Sequence, residues 1–243
     1  MRIQVCGLIV VEDDDRRLED DLPSRQGRVL FAFLVVNRGR LTPRSEIIDA
    51  LWPTGGPADA DGALNALLSR LRRALGSERI DGRNTVRLVL DDDTVVDLES
   101  ADEAIRRAES AVALTQWERA WAASLVTMFV ARRGFLPGED APWIDGVRRH
   151  LDELYIRSLE TYGTAGLGLG GTELAAARSA GQMLVDLVPL RESGHRLLMR
   201  VLEAEGNPAE ALGLYERLRC LLRDELGVAP SEASQQLYAS LLG

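Results

Sequence analysis

The stretch 59–76, DADGALNALLSRLRRALG, constrains this chain more than any other. Its leucines recur at helical spacing, so an α-helix would gather them into one apolar stripe. The stripe consists of Leu64, Leu67, Leu68, Leu71 and Leu75. The opposite side would carry five small or polar residues, namely Asn65, Ala66, Ser69, Arg70 and Arg73. The pattern therefore predicts a leucine-backed helix with a narrow polar face.

This polar face has the chemistry of a helix that enters a DNA major groove. Small residues permit close approach, and asparagine and arginine side chains can bond base edges or phosphate. The five residues of the polar face are therefore candidate DNA contacts. The alternative is an ordinary amphipathic surface helix with a solvated basic end. Arg72 lies near the edge of the stripe and is expected to extend its guanidinium outward.

The charge distribution favours a local rather than a general nucleic-acid surface. The 243 residues suffice for one large or two ordinary domains and carry a net charge of −9, which argues against a protein that coats nucleic acid everywhere. Between residues 25 and 87, however, 11 Arg stand against 6 Asp and Glu. Every basic residue is arginine, which suits bidentate binding of guanine or phosphate; a coding bias toward arginine would give the same composition.

Several classes of protein are excluded by what the chain lacks. No apolar run is long enough to cross a bilayer and no signal-peptide pattern is present, so we expect a cytoplasmic protein without a membrane partner. Two distant cysteines, Cys6 and Cys220, are expected to be reduced packing residues, and the two histidines, His150 and His195, are too few and too far from them for a zinc site. His195 precedes an apolar run and is expected to be a packing or hydrogen-bonded histidine. We expect no cofactor, no metal and, without a nucleophile–base arrangement, no enzyme.

Three weaker patterns receive structural interpretations. The carboxylate runs 12–15 and 91–93 are predicted to be solvated turns. The glycine-rich stretch 166–171 has no preceding strand and no following lysine, so it predicts a turn between repeats rather than a phosphate loop. Three tryptophans are expected to pack between helices, although they could also line a concave surface: Trp117, Trp121 and Trp143.

Short elements flank the leucine-backed helix. The pattern predicts a strand over 2–11, a turn at 13–15, a return strand at 16–18, and helices over 25–37 and 43–52. Thr42 would be the N-cap of the second helix, with Pro43 at its first position. Beyond the leucine-backed helix, 85–90 and 94–97 would pair as a β-hairpin around 91–93. Sheet, three helices and hairpin is the order of a winged helix-turn-helix.

Further arginines are candidates for the phosphate backbone. Arg38, Arg40 and Arg44 flank the start of the second helix, whose N-terminal amides could complete a phosphate clamp. A solvated loop is the alternative. Arg87 would lie on the predicted hairpin, which in a winged helix runs beside a phosphate strand.

The pattern changes character at about Leu98 and is helical nearly to the end. Gly171 and Gly206, 35 residues apart, each begin a turn followed by small residues, as in paired-helix repeats of the tetratricopeptide kind. We therefore predict a mainly α chain with a small β part. An N-terminal winged helix-turn-helix would occupy 1–97, and an α-helical tetratricopeptide-like repeat domain would occupy 98–243.

Longer motifs resemble a known family. LTPRSEIIDALWP and ALNALLSRLRRALG are similar to the OmpR-type DNA-binding domain of the Streptomyces antibiotic regulatory protein (SARP) family, where Leu-Trp closes the second helix and SRLRRAL closes the recognition helix. GFLPG, APW, PLRE, HRLLMR, LYERL and DELGVAPS resemble the bacterial transcriptional activator domain that follows it. The wing departs from the family pattern, with TVRL at 85–88 where GYRL is usual.

The resemblance implies a sequence-specific transcriptional regulator that binds double-stranded promoter DNA. It also implies an activator that recruits RNA polymerase, and direct-repeat sites would place two copies on one DNA face. The helical half would then serve dimer contacts, polymerase contacts or the sensing of a small-molecule or protein signal. The alternative is a helical-repeat interaction or ligand-sensing module whose winged helix no longer binds DNA. Overall acidity, a wing without tyrosine and the leucine-heavy third helix favour that alternative.

Overall fold

The computed structural model describes residues 1–14 and 16–243, so Asp15 of the predicted turn 13–15 lies outside the described residues. The chain divides into two compact units. The first unit comprises 1–100 with 130–152, and the second unit comprises 101–129 with 153–243. The fold is mainly helical with few strands, as predicted. The functional division into 1–97 and 98–243 stays a prediction.

The described residues form ten α-helices and seven strands. The helices are α1 (Ser24–Val36), α2 (Arg44–Leu51), α3 (Ala60–Leu75), α4 (Asp97–Ala113), α5 (Trp117–Ala131), α6 (Pro142–Leu169), α7 (Leu174–Leu187), α8 (Glu192–Ala204), α9 (Pro208–Leu226) and α10 (Glu232–Leu241). The strands are β1 (Arg2–Gln4), β2 (Val10–Asp13), β3 (Arg16–Arg17), β4 (Thr42–Pro43), β5 (Ile80–Asp81), β6 (Thr85–Leu88) and β7 (Val95–Val96). Within the part of the chain that the structure describes, no helix has the length and apolar character needed to cross a bilayer.

The N-terminal sheet contains two strands where the sequence pattern predicted one over 2–11. Its strand order is β3-β2-β1-β7, and β1 pairs antiparallel with β2 so that Ile3 lies opposite Val11. Between them the backbone takes a positive φ of 80° at Gly7, which interrupts an extended run. Both Ile3 and Val11 are buried, so the fold-back places apolar side chains on a single face. The predicted return strand is present as β3.

The predicted pairing of 85–90 with 94–97 is wrong. β6 instead pairs antiparallel with β5 and with β4, whereas β7 pairs parallel with β1 in the other sheet. The hairpin therefore turns at 82–84 rather than at 91–93. Gly82 has a φ of 97°, and a β-carbon there would overlap the carbonyl oxygen of Thr85. Only glycine fits this tight turn, which explains why the chain reverses at that point.

The leucine stripe of α3 is buried as predicted, with all five leucines at most 8% exposed. The side chain of Asp59 caps the helix by accepting from the Gly62 N–H at 2.8 Å. Thr42 was predicted to cap α2, and this is wrong. Thr42 lies in β4, and Pro43 occupies the N-cap position without a side-chain cap. Because Thr42 and Pro43 pair with β6, the helix begins one residue later than predicted.

Aromatic and polar contacts complete the core of the first unit. Trp143 packs edge-to-face on Phe33 and Phe135 at centroid distances of 5.1 and 5.7 Å, and its Nε1–H donates to the carbonyl of Ala50. The carboxylate of Asp97 accepts from the backbone N–H groups of Val5, Cys6 and Leu98. Burial raises the pKa of Asp97, and the three amide donors oppose that rise. Both cysteines are free, as expected.

In the second unit, α7, α8, α9 and α10 pack against their neighbours in chain order. The centre of α7 and α8 is apolar and includes Ala177, Ala180, Leu184 and Val201. His195 is buried, and its Nε2 lies 2.9 Å from the carbonyl oxygen of Pro189. Its burial and this contact make His195 a packing histidine, as predicted, and the burial lowers its pKa.

The predicted repeat turn over 166–171 is wrong in its first part. Gly166 and Gly168 lie inside α6, and the turn begins only at Gly170, where φ is 70°. A β-carbon on Gly166 would approach the Trp121 ring to 2.7 Å, and one on Gly168 would overlap the Trp117 ring. These glycines therefore make room for indole rings, and the prediction that Trp117 and Trp121 pack between helices is confirmed.

Gly168→Ala is expected to lower the free energy of unfolding by about 1–3 kcal/mol, because the added methyl group displaces the Trp117 ring. Gly213→Ala is the matched control. A β-carbon there meets only the flexible Nη1 of Arg217 at 3.6 Å, so the better helix propensity of alanine should stabilise by up to about 1 kcal/mol. Urea unfolding, monitored by circular dichroism, measures the free energy of unfolding of both variants. Equal effects of the two substitutions would contradict the packing role of Gly168.

Candidate nucleic-acid interface

The predicted polar face of α3 is exposed. Its members Asn65, Ala66, Ser69, Arg70 and Arg73 all lie on the solvent side of the helix, opposite the buried leucines. The side chains of Arg70 and Arg73 form neither a hydrogen bond nor an ion pair with any residue that the structure describes. Two uncompensated guanidiniums therefore stand beside the small side chains of Ala66 and Ser69.

Arg44 braces this face instead of pointing away from it. Its guanidinium donates to Asp61 Oδ1 at 3.1 Å, to Asn65 Oδ1 at 3.0 Å and to the Arg83 carbonyl at 3.4 Å. Its side chain is only 19% exposed. The predicted phosphate ligand thus joins the start of α2 to α3 and to the turn 82–84. The side-chain oxygen of Asn65 is occupied in this way, which leaves its NH₂ group as the donor available to a ligand.

Arg72 forms a second brace. The sequence predicted a guanidinium that extends outward, but the side chain is half-buried and donates to the carbonyls of Ile80 and Gly82 at 3.1 and 3.0 Å. These carbonyls belong to β5 and to the turn that follows it. The C-terminal part of α3 is therefore attached to the β5–β6 hairpin, and Arg44 attaches the same turn from the side of α2.

Arg83 is a candidate contact that the sequence reasoning missed. It lies at the tip of the β5–β6 turn, its side chain is exposed, and that side chain has no hydrogen-bond or ion-pair partner in 1–14 or 16–243. The hairpin was predicted to turn at 91–93, so 82–84 was not considered. A Gly-Arg-Asn sequence between the apolar residues Ile80 and Val86 was the available turn signal.

The other two arginines near α2 are paired with carboxylates of the chain itself. Arg38 makes a bidentate contact with Glu99, and Arg40 makes one with Glu46 and also donates to Asn37 Oδ1. The hydrogen bond from Arg40 lowers the pKa of Glu46. Exposed pairs of this kind contribute only about 0–1 kcal/mol, so phosphate could replace the carboxylate. A phosphate role for Arg38 and Arg40 stays a prediction.

The acidic turn 91–93 lies away from the hairpin tip. Asp91 is 3.7 Å from Arg79, which also binds Asp13 at 2.9 Å. Arg87 lies on β6 and approaches Asp81 at 3.6 Å. The carboxylates of this turn would therefore not repel a phosphate at the tip of the hairpin, which carries Arg83. Among the described residues, no group of three or more His, Cys, Asp or Glu side chains is arranged to hold a metal ion.

Sequence comparison gives a family match and several relatives. Residues 80–242 match the family described as the bacterial transcriptional activator domain. The regulatory protein AfsR of Streptomyces griseus is 31% identical over 90% of this chain, and the transcriptional regulator RedD of Streptomyces coelicolor is 29% identical over 88%. The chain spans only 22% of that AfsR and 63% of RedD.

Structural comparison finds a solved relative of the same fold. The structure of Mycobacterium tuberculosis EmbR in complex with a low affinity phosphopeptide matches with a TM-score of 0.84 and 21% sequence identity. The match covers 99% of this chain and 64% of the EmbR chain. At this identity the likeness shows a common fold.

Arg72→Met is expected to lower the free energy of unfolding by roughly 1–3 kcal/mol, because two carbonyl acceptors lose a half-buried donor while the aliphatic stem is kept. Its neighbour Arg73 provides the control. Arg73→Met removes an exposed guanidinium that has no partner among the described residues, and should change stability by less than about 0.5 kcal/mol. If chemical denaturation ranks the two variants equally, Arg72 does not act as a brace.

Proposed function

Because the chain belongs to the bacterial transcriptional activator domain family, we propose that it is a sequence-specific DNA-binding regulator of transcription. Proteins named as regulators are among its relatives, and together with the family match they support its placement in the SARP family. In this proposal, 1–97 is an OmpR-type winged helix-turn-helix and α3 is its recognition helix. The β5–β6 hairpin is the wing.

The observation that carries the proposal is the pair of uncompensated guanidiniums on the polar face of α3. Arg70 and Arg73 are three residues apart, so their side chains leave the helix on the same side. Ala66 and Ser69 beside them are small enough for the helix backbone to approach base edges closely. A major groove about 12 Å wide admits a helix of this diameter. A bidentate contact between one arginine and guanine would contribute about 1–3 kcal/mol of discrimination.

The hydrogen bonds of Arg44 and Arg72 hold the interface in one arrangement in the absence of DNA. Arg44 and Arg72 hold α2, α3 and the turn 82–84 together, so Arg83 is presented at a set position relative to the polar face of α3. We assign Arg83 to a phosphate beside the major groove and Arg44 to positioning Asn65. Arg38, Arg40 and Arg87 would supplement the phosphate contacts by exchanging their carboxylate partners for DNA.

Membership of the family also supports a proposal about the wider role. We propose an activator that recruits RNA polymerase in the cytoplasm from direct-repeat promoter sites, with two copies bound on one face of the DNA. A second copy or a signal that acts on the helical half belongs to the same proposal. The alternative function is a helical interaction or ligand-sensing module in which the winged helix no longer binds DNA.

Binding-site selection from random duplex DNA by the purified full chain tests the DNA-binding proposal. We expect a short repeated sequence to be enriched, and its affinity to fall steeply between two salt concentrations because phosphate contacts release counterions. Random DNA of equal length is the control and should bind more weakly at both salts. If no sequence is enriched, the interaction-module alternative replaces the proposal.

Arg73→Ala should weaken binding to the selected site by roughly 1–3 kcal/mol and relax the preference at one base position. The measurement is a fluorescence anisotropy titration on the selected site and on single-base variants of it. Arg149→Ala removes another exposed arginine of the first unit and should leave affinity and preference unchanged.

Arg83→Ala separates base contact from phosphate contact in the same assay. Because phosphate carries no sequence information, this variant should weaken binding to specific and random DNA alike and reduce the salt slope by about 1. An Arg73→Ala variant that also weakens all sequences uniformly would contradict its assignment to a base edge.

A further inference from the structure

An apolar groove lies between α4 and α5 in the second unit. Its volume is about 710 Å³. The floor and walls are formed by Ala111, Leu114, Ala122, Ala123 and Val126. Two of these side chains are unusually exposed for apolar residues, since Leu114 is 65% and Val126 is 42% accessible to solvent. Phe129, one turn beyond Val126 on α5, is 63% exposed and extends the apolar strip.

The rim of this groove is positively charged. Arg106, Arg107 and Arg119 line it, and all three are exposed. Arg107 pairs with Glu103, which also lines the groove, and Arg119 donates to the neutral side chain of Gln116. The side chain of Arg106 makes no hydrogen bond or ion pair within the described chain. Three guanidiniums and one carboxylate leave a net positive rim on a chain whose total charge is −9.

The dimensions of the groove indicate the shape of its occupant. The lining residues of α4 run from residue 103 to residue 111, which is about 12 Å or two helical turns, and Leu114 lies just beyond the end of that helix. Those of α5 run back from residue 119 to residue 126 along the neighbouring helix. A channel between two adjacent helices, open along its length and floored by small side chains, accommodates a third helix.

We propose that this groove binds an amphipathic helix of a protein partner, with acidic residues flanking the apolar face of that helix. Leucine-sized side chains at helical spacing would cover Leu114, Val126 and the alanines between them. Aspartate or glutamate on both flanks would meet Arg106, Arg107 and Arg119. The charge of the rim selects acidic over basic partners, and the apolar floor supplies the area that is removed from water.

The test uses two synthetic peptides of about 15 residues that differ only in charge. Both carry leucine at i, i+3, i+4, i+7 and i+11, and the flanking positions are glutamate in one peptide and lysine in the other. Fluorescence anisotropy with the full chain should show saturable binding of the acidic peptide and at least about tenfold weaker binding of the basic one. Arg106→Glu/Arg119→Glu should reverse this preference.

Matched variants separate the groove from a general charge effect. Arg149→Glu/Arg200→Glu changes net charge equally at exposed positions outside the groove and should retain the preference for the acidic peptide. Val126→Asp should abolish binding of both peptides. Circular dichroism melting establishes that each variant is folded.

Four outcomes would overturn the proposal. The first is equal binding of both peptides, and the second is an unchanged preference in Arg106→Glu/Arg119→Glu. The third is binding only of a small anionic amphiphile such as dodecanoate, which would make the groove a ligand site. The fourth is concentration-dependent self-association that Val126→Asp abolishes in sedimentation velocity, which would make a second copy the occupant. None of these results depends on whether the protein binds DNA.

Discussion

Burial of the leucine stripe of α3 is the constraint on which the candidate interface depends. Each fully buried leucine contributes about 1.5–3 kcal/mol, so any rotation of the helix that exposes several of them is strongly unfavourable. The rotational setting of α3 is therefore decided by its apolar side. The polar face, from Asn65 to Arg73, is directed outward as a consequence. Packing thus presents these side chains whether or not DNA is bound.

Arginines of the same chemical type have different roles because their surroundings differ. Arg72 is half-buried beside two backbone carbonyls, and its guanidinium satisfies both of them. Arg73, the next residue, leaves the helix on the solvent side and meets no acceptor among the described residues. Braces such as Arg72 and Arg44 keep the surface rigid, so less conformational entropy is lost when a ligand orders it. The uncompensated arginines are then the groups with most to gain from an anionic partner.

Periodicity was sufficient to predict α3 and its buried side, since both follow from residue spacing within one helix. It also predicted the packing of Trp117 and Trp121, although the glycines that make room for their rings lie in distant α6. Periodicity did not predict the partner of β6, because the alternation of Val86 and Leu88 fits pairing with an earlier or a later segment of the chain equally well. That choice depends on the positive φ of Gly82 and on the pairing of β7 with distant β1. A sequence likewise shows where an arginine is but not which group accepts its hydrogen bonds. Arg44 was therefore assigned to phosphate, although its acceptors lie within the chain.

The net charge of −9 says little about where this chain binds other molecules, because many carboxylates are used within it. Arg38 and Arg40 are neutralised locally by Glu99 and Glu46. The informative feature is the kind of surface that surrounds an uncompensated arginine. Small or polar neighbours, as on α3, suit the hydrated groove of DNA. Exposed aliphatic side chains would stay in contact with water in such a groove. The groove that Arg106 lines contains exposed aliphatic side chains, so the uncompensated charge there favours a protein helix.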